Sequence, residues 1–342
     1  MKRIAVFLPN WIGDVVMATP AIRALAVANP GAEIIAVCKP YVAETLAGAP
    51  WFQGTIFYDQ RGSAERRFWP IVQQFREKQF DTAILFPNSL RSALVAKLGG
   101  CKRIIGYARY ARDFFLTDRL YHERDSHGKF RPVPIINDYN RIVQKLRVPD
   151  PGHRMELFTT EADEAAANAV WKQFGLNQFT TIIGLNSGGA FGASKNWPTP
   201  YFVELAQKLA AKPGTAVLAL CGPNERETAR DIARLANHTA VLSLADIPLS
   251  IGLTKAIVRR LSLLVTTDSG PRHFAAAFNR PVVTLFGPTH IGWTETYFGK
   301  AIHLQKPVPC GPCQLRVCPL DHRCMNELKP TEVMAAIYQL LK

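Results

Sequence analysis

The sequence predicts an α/β protein made of two Rossmann-like domains that face each other across a central cleft. Its 342 residues exceed the roughly 250–300 at which a single hydrophobic core stops growing, so two domains are expected. Short apolar runs alternate with helical stretches, which is typical of parallel strands joined by right-handed helical crossovers. The alternation of strands and helices is interrupted at residues 148–152, where two prolines and a glycine indicate an interdomain linker, and it continues after them.

Several runs are predicted as buried parallel strands because they are short, rich in Ile, Val and Phe, and lack alternating polar positions. These runs are Ile4–Leu8, Glu33–Cys38, Thr55–Tyr58, Thr82–Phe86, Arg103–Tyr107, Ile182–Leu185, Ala216–Leu220, Leu261–Thr266 and Val282–Phe286. Apolar residues at helical spacing predict the helices between them. The predicted helices are Asp14–Ala28, Tyr41–Ala47, Ala64–Lys78, Ser89–Leu98, Asp138–Leu146, Pro200–Ala211, Glu225–Asn237, Leu249–Arg259 and Ser269–Phe278.

The domain limits follow from the same pattern. Residues 1–155 are predicted to form the first domain and residues 156–330 the second. The last residues, 331–342, are predicted to form a helix that packs back on the first domain. Residues 121–134 combine charges with glycine and proline, which predicts an exposed loop.

The composition is that of a globular protein, with 48% hydrophobic and 20% charged residues. Polar residues at Asn10 and Asp14 interrupt the first apolar run, and no run approaches the ~20 residues of a membrane-spanning helix, so a soluble cytoplasmic protein is expected. The net charge is +14, and residues 91–147 contribute 13 Lys or Arg against 5 acids. This excess favours an anionic partner, although a solvated basic face without any partner fits the charge equally well.

A turn after the first strand, residues 8–14, ends in a carboxylate near the start of a helix. Asp14 is predicted to cap that helix, to accept a proton from a sugar hydroxyl at the carboxyl end of the strand, or to do both. No G-x-G-x-x-G motif is present here, which counts against a dinucleotide site in this half.

A glycine-rich loop follows a strand at residues 186–198 and contains Ser187, Gly188, Gly189 and Lys195. Backbone N–H groups of such a loop can approach an anion closely, and the lysine adds a positive charge. The spacing differs from that of a P-loop. A phosphate site is the functional interpretation, and a flexible loop with an exposed lysine is the alternative.

The run from Thr267 to His273 joins an apolar strand to an alanine-rich helix. Asp268 or Ser269 is predicted to cap this helix, Gly270 permits close backbone approach, and the helix start suits a pyrophosphate. Three further residues, Gly287, Pro288 and Thr289, follow the next strand. The three loops are expected to converge on one anion because they leave neighbouring strand ends.

Four of the seven cysteines cluster near the end of the chain, at Cys310, Cys313, Cys318 and Cys324, with His322 among them. The first pair has metal-ligand spacing, but the second pair departs from the usual C-x₂-C repeat. The sequence therefore leaves three alternatives for these cysteines: a structural zinc site, an oxidised pair or free thiols. No metal ligand is assigned.

Several of these motifs together resemble a known family. They are Gly13-Asp14, the G-A-x-G-x-x-K-x-W-P pattern from Gly189 to Pro198, the D-S-G-P-x-H run from Asp268 to His273, and Phe286–Thr289. This combination resembles the ADP-heptose:lipopolysaccharide heptosyltransferases of glycosyltransferase family 9. Residues 191–198 and 310–324 look more like heptosyltransferase II than heptosyltransferase I, and the resemblance covers nearly the whole chain.

The resemblance implies a GT-B fold and an inverting transfer of heptose from ADP-L-glycero-D-manno-heptose to the inner-core heptose of a Kdo-lipid A precursor of lipopolysaccharide. It implies that Asp14 is the general base and that Lys195 neutralises the departing diphosphate, without any metal or cofactor. The donor-binding residues implied or inferred are Ser187, Gly188, Gly189, Lys195, Glu225, Asp268, Ser269, Gly270, His273, Gly287, Pro288 and Thr289. The basic residues 91–147 would meet acceptor anions and the inner leaflet of the inner membrane.

Two other functions are consistent with the residues alone. One is a different GT-B enzyme that uses a UDP- or GDP-sugar. The other is a basic nucleic-acid-binding protein with a zinc knuckle, although its basic residues are not interleaved with aromatic platforms. Neither nucleic acid nor a cofactor is expected as a partner of the preferred enzyme.

Overall fold

The computed structural model describes residues 2–189 and 191–342. It contains two parallel six-stranded sheets with helices packed against them. The strands of the first sheet are β1 (Arg3–Phe7), β2 (Glu33–Cys38), β3 (Gly54–Phe57), β4 (Thr82–Leu85), β5 (Arg103–Tyr107) and β6 (Asp118–Leu120). The strands of the second sheet are β7 (Thr181–Asn186), β8 (Thr215–Leu220), β9 (Val241–Ser243), β10 (Leu263–Thr267), β11 (Val282–Phe286) and β12 (Ala301–Gln305).

The helices occupy the crossovers between strands, as the alternating pattern predicts. In the first half they are α1 (Ile12–Met17), α2 (Thr19–Ala28), α3 (Pro40–Thr45), α4 (Phe68–Lys78), α5 (Leu90–Leu98) and α6 (Ile135–Gln144). In the second half they are α7 (Glu161–Gln173), α8 (Thr199–Ala210), α9 (Arg226–Ala236), α10 (Ile251–Arg260), α11 (Gly270–Ala277), α12 (Arg323–Asn326) and α13 (Pro330–Leu341).

Both sheets have the same strand order. The first runs β3-β2-β1-β4-β5-β6 and the second runs β12-β11-β10-β7-β8-β9. In each, the order reverses next to the first strand, between β1 and β4 or between β7 and β10. Ligands of open α/β sheets bind outside the carboxyl ends of the strands at such a reversal. Each sheet therefore has one candidate site at its reversal.

The predicted strands are confirmed, with ends shifted by at most two residues. Three strands were not predicted: β6 and β9 have only three residues each, and β12 is a half-buried edge strand without a continuous apolar run. The predicted helix Asp14–Ala28 is two helices, because Pro20 lies in the first turn of α2 and interrupts the backbone hydrogen-bond ladder. Helix α7 was also not predicted; its start carries a capping box between Thr160 and Asp163.

The chain divides into two compact units. The first comprises Met1–Glu156 with Gly292–Thr296, and the second comprises Leu157–Ile291 with Tyr297–Lys342. Packing of the C-terminal helix on the first domain remains a prediction, and α13 contacts α8, β11 and β12 of its own unit. Its apolar residues, among them Val333 and Ile337, are buried there. No helix in the described part of the chain is long and apolar enough to cross a bilayer.

Candidate active site

One amide side chain joins two loops at the carboxyl edge of the second sheet. Asn186 is the last residue of β7, next to the point where the strand order reverses. Its Nδ2 donates hydrogen bonds to the carbonyl oxygen of Gly188 at 2.9 Å and to the hydroxyls of Thr266 and Ser269, both at 3.0 Å. The loops after β7 and β10 are therefore held in contact by buried hydrogen bonds, which cost free energy to break.

The two glycines of the first loop leave no room for side chains. A Cβ on Gly188 would lie 2.3 Å from Cγ of Glu225, and a Cβ on Gly189 would lie 2.8 Å from Cβ of Ser269. Glu225 in turn accepts a hydrogen bond from the backbone N–H of Gly222 at 3.0 Å. The structure thus brings the predicted donor residues of three loops together, and it places the nucleoside candidate Glu225 against Gly188.

A buried cluster of charges lies at the start of α11. Lys195 Nζ donates to the Asp268 carboxylate at 2.6 Å and to the Asp268 carbonyl oxygen at 2.8 Å. Arg272 donates to the other carboxylate oxygen at 3.0 Å, and the Thr289 hydroxyl donates at 2.8 Å. Lys195, Asp268 and Arg272 are each less than 10% exposed. Both oxygens of Asp268 are thereby engaged, so this carboxylate positions the two cations.

The cluster places two cations, Lys195 and Arg272, against the one carboxylate of Asp268. Burial by itself would raise the pKa of Asp268, but the charges of Arg272 and Lys195 outweigh it and hold the pKa well below its ordinary value. Asp268 is therefore ionised at neutral pH. The N-terminus of α11 adds the partial positive charge of its backbone N–H groups. The arrangement is suited to an anion such as a diphosphate.

The first turn of α11 differs from its predicted capping. Ser269 is the N-cap residue, but its hydroxyl makes no capping hydrogen bond because it bonds to Asn186 and Thr266 instead. Gly270 opens the helix. His273, one turn further, is 3% exposed, and its Nδ1 has no hydrogen-bond partner within the described residues. Burial, followed by the charge of Arg272, lowers the pKa of His273 well below its ordinary value, so this ring is neutral at pH 7.

The lysine loop is firmly supported, which excludes the alternative of a flexible loop with an exposed lysine. The Ser194 backbone N–H donates to the carbonyl of Arg316 at 3.1 Å, and the Ser194 hydroxyl donates to the carbonyl of Leu315 at 2.5 Å. His322 Nε2 lies 2.6 Å from the carbonyl oxygen of Ser194. The segment that contains the cysteines therefore braces the turn that carries Lys195. Ala190, which belongs to the predicted motif, lies outside the described residues.

The residues after β11 also contact the cysteine-containing segment. A Cβ on Gly287 would lie 2.5 Å from Sδ of Met325, and the carbonyl of Pro288 accepts a hydrogen bond from the backbone of Gln314 at 2.8 Å. Gln305 donates to the carbonyls of Gly287 and Thr289. Of the three predicted residues here, Thr289 joins the charge cluster, whereas Gly287 and Pro288 pack against the cysteine-containing segment.

The four clustered cysteines are free thiols in this structure, as are the other three. Cys310, Cys313, Cys318 and Cys324 line one cavity of about 20 Å³ together with His322. Burial, and then the neighbouring thiols, raise the pKa of Cys324. Among the described residues, no group of three or more His, Cys, Asp or Glu side chains is arranged to hold a metal ion.

Asp14 lies at the corresponding position of the first unit, after β1 and next to the reversal between β1 and β4. Capping was one of its two predicted roles, and this role is excluded: Trp11 is the N-cap of α1, and Asp14 is the third helical residue. Burial, followed by the carboxylates of Asp14 and Asp138, raises the pKa of the Tyr139 hydroxyl. Asp14 is therefore close to α6 at the carboxyl edge of the first sheet.

Sequence reasoning missed three residues of the second-unit site. Arg272 and Asn186 were not recognised as site residues, and Thr266 was noted only as the end of a strand. Arg272 could have been found, because it stands four residues after Asp268 on a helix start, where opposite charges pair. The bonds of Asn186 span about 80 residues of chain, and no local pattern predicts them.

The chain was compared with known families and proteins. Residues 68–323 match the model of glycosyltransferase family 9 (heptosyltransferase). Lipopolysaccharide heptosyltransferase 2 of Escherichia coli (strain K12) is 27% identical over 307 residues, which are 87% of this chain and 86% of that protein. Lipooligosaccharide heptosyltransferase 2 of Campylobacter jejuni is 24% identical and covers 99% of this chain and 98% of its own length.

Solved structures of similar proteins superpose on nearly the whole chain. The structure of E. coli ADP-heptose lps heptosyltransferase II superposes with a TM-score of 0.79 at 25% identity, covering 100% of this chain and 98% of that one. A family 9 glycosyl transferase from Veillonella parvula has a TM-score of 0.84 at 21% identity, which concerns the fold alone, over 99% and 97% of the two chains. The predicted GT-B fold is confirmed. The comparisons support the resemblance that the motifs carried, and neither of the two alternatives.

Proposed function

Because the chain belongs to glycosyltransferase family 9 (heptosyltransferase), we propose that it moves heptose from ADP-L-glycero-D-manno-heptose to the inner-core heptose of a lipopolysaccharide precursor. The observation that carries the donor half of this proposal is the buried cluster of Lys195, Asp268 and Arg272 at the start of α11. The buried ammonium group of Lys195 and the N–H groups at the helix start match a diphosphate, the group that ADP-heptose releases.

In this proposal the second unit binds the donor. Lys195, supported by Asp268, neutralises charge on the diphosphate as the bond between the anomeric carbon and the phosphate oxygen breaks. The backbone at Gly270 and the loop of Gly188 and Gly189 supply N–H groups to the phosphates, and Glu225 lies beside that loop toward the nucleoside. Neutral His273 can donate or accept a hydrogen bond without adding charge. No metal is required when lysine and a helix start take this part.

The first unit binds the acceptor and supplies the base. The carboxylate of Asp14 takes the proton of the acceptor hydroxyl while the hydroxyl oxygen forms the new bond to the anomeric carbon, which inverts that centre. A cavity of about 380 Å³ opens at the carboxyl ends of β1, β2 and β4, and it is lined by Arg61, Arg91 and the pair of Lys39 and Asp59, whose charged atoms are 4.0 Å apart. These cations suit the carboxylates and phosphates of a Kdo-lipid A acceptor. The protein would act in the cytoplasm and contact the inner leaflet of the inner membrane peripherally.

Replacing Asp14 by Asn tests the proposed base. We expect kcat for heptose transfer to fall by about 10²–10⁴, because a general base contributes that much, while ADP affinity stays within twofold. The control is Glu77→Gln, which removes an exposed carboxylate on α4 of the same unit. Transfer by Asp14→Asn at the wild-type rate would refute the role of Asp14.

A nucleotide series tests the donor. A ligand that binds only the native state raises its stability by RT ln(1 + [L]/Kd), so the melting temperature reports relative affinity. ADP should raise the melting temperature more than UDP or GDP at equal concentration. A larger shift with UDP or GDP would instead favour a different nucleotide sugar, which is the alternative that the sequence alone left open.

A further inference from the structure

A surface at the carboxyl ends of β5 and β6 combines exposed aromatic rings with cations, and we call it the aromatic-basic edge. Its members are Arg109, Tyr110, Phe114, Tyr121, Lys129 and Arg131. Phe114 is 84% exposed, Tyr121 66% and Tyr110 63%. The three rings lie within twelve residues of the chain, and exposed apolar side chains that cluster in space indicate an interaction site.

The first loop of this edge, residues 108–117, is rigidly held. Arg112 is fully buried below it and donates to the carbonyls of Tyr107 at 2.7 Å and Pro87 at 2.5 Å and to the Asn88 side chain at 2.8 Å. A Cβ on Gly106 would lie only 3.1 Å from the Arg112 guanidinium, so glycine makes room for this anchor. Phe114 is therefore displayed by a fixed loop, and little ordering entropy is lost when it docks.

The second loop, residues 121–134, is joined to the first. The Arg109 guanidinium lies 4.8 Å from the ring centre of Tyr110 and 4.7 Å from that of Phe130. At the base of this loop, His122 stacks on Tyr107 at 4.1 Å, and its Nδ1 is 3.1 Å from the carboxylate of Asp138. The two loops thus form one continuous surface rather than two independent ones.

Within the described part of the chain, the three cations of the edge form no ion pair, although Asp125 accepts a hydrogen bond from the backbone N–H of Lys129 at 2.9 Å. Throughout the described residues, no carboxylate lies within 4 Å of the charged groups of Arg109, Lys129 or Arg131, in contrast to Arg103, which pairs with Asp118 at 2.7 Å. Unneutralised Lys and Arg beside Tyr and Phe match the headgroup region of an anionic bilayer, where aromatic rings lie at the interface and cations meet lipid phosphates.

We propose that the aromatic-basic edge docks the first unit on an anionic phospholipid bilayer. This inference rests on the proposed function, because a lipid-linked acceptor is presented at a membrane surface. Arg109, Tyr110 and the second loop lie on the same side of the first sheet as Asp14, since all follow the carboxyl ends of parallel strands. Docking would therefore bring the lipid-linked acceptor to the side of the sheet that carries the proposed base.

Vesicle binding tests the proposal. Wild-type protein should co-sediment with vesicles of phosphatidylcholine that contain 30 mol% phosphatidylglycerol, should bind phosphatidylcholine alone much more weakly, and should be released by 0.5 M NaCl. The double variant Lys129→Glu/Arg131→Glu should bind the anionic vesicles at least about 30-fold more weakly, from roughly fivefold for each cation removed. Phe114→Ala should weaken binding by about tenfold at unchanged charge.

A charge-matched control uses the opposite edge of the same sheet. Lys97 lies in the last turn of α5 and Lys102 directly precedes β5, so Lys97→Glu/Lys102→Glu makes the same change of charge at the amino ends of the strands. This control should bind vesicles within about threefold of wild type, because the bilayer field falls off within a Debye length. An equal loss in both double variants would show a general charge effect and overturn the proposal.

Enzyme assays separate this inference from the proposed function. Transfer to a water-soluble, lipid-free core oligosaccharide should be unchanged in Lys129→Glu/Arg131→Glu, and loss of that transfer would place the edge in the active site instead. If wild type transfers no heptose to any acceptor but binds anionic vesicles as described, the proposed function fails and the docking surface stands. Wild-type binding to single-stranded RNA with no binding to anionic vesicles would overturn the docking proposal.

Discussion

Replacing Lys195 by methionine separates the structural from the functional contribution of the buried charge cluster. Methionine keeps most of the volume and removes the ammonium group that donates to the carboxylate and the carbonyl of Asp268. The carboxylate retains Arg272 and Thr289, so it is not left without partners. We expect the free energy of unfolding to fall by about 1.5–3 kcal/mol, the contribution of hydrogen bonds to charged groups.

The comparison with Asp268→Asn makes the prediction quantitative. That change leaves two buried cations without their carboxylate, and removing one partner of a buried ion pair costs about 3–5 kcal/mol. Asp268→Asn should therefore be less stable than Lys195→Met. Lys208→Met is the matched control, because Lys208 makes an exposed pair with Glu204 on α8 and should change stability by less than about 0.5 kcal/mol.

Urea denaturation measures the unfolding free energies, and calorimetric titration with ADP measures the affinity. Lys195→Met should bind ADP about 10–100-fold more weakly, because the complex loses one charge-assisted hydrogen bond from the ammonium group to the diphosphate. The control Lys208→Met should bind ADP as wild type does. A folded Lys195→Met that binds ADP with wild-type affinity would refute the assignment of this ammonium group to the diphosphate.

Three further predictions follow from buried groups. The fold holds the pKa of His273 well below its ordinary value, whereas in the unfolded chain this side chain takes up a proton below pH ~6.5. Between pH 7 and 5, the free energy of unfolding should therefore fall by about 2 kcal/mol more in wild type than in His273→Gln. Identical urea profiles of the two proteins would contradict this. Gly188→Ala should destabilise by about 1–3 kcal/mol, and Glu225→Ala in the same chain should restore most of it by removing the clashing Cγ; a double-mutant cycle without coupling would exclude this packing. Arg112→Met should lower the melting temperature and loosen residues 108–117 in hydrogen exchange, because three acceptors lose their donor, and unchanged protection there would refute the anchor.

The sequence by itself determined the fold class and most of the residues that come together at the proposed donor site. Alternation of apolar runs and helical stretches predicted every strand of four residues or more except β12, because buried parallel strands have a pattern that depends only on local composition. The loops that contain Lys195, Asp268 and Thr289 were predicted to meet, since the carboxyl ends of parallel strands share one edge. The motif-based resemblance was confirmed by relatives that span most of the chain.

Only the tertiary structure decided how these residues are partnered. The ammonium of Lys195 and the carboxylate of Asp268 are 73 residues apart in the chain, and the order of the strands in the sheet brings them within 2.6 Å. The same long-range packing places His322 against the lysine turn and α13 against its own unit. Local patterns carry propensity and periodicity, whereas contacts across crossovers depend on which strands become neighbours, and that is a property of the whole fold.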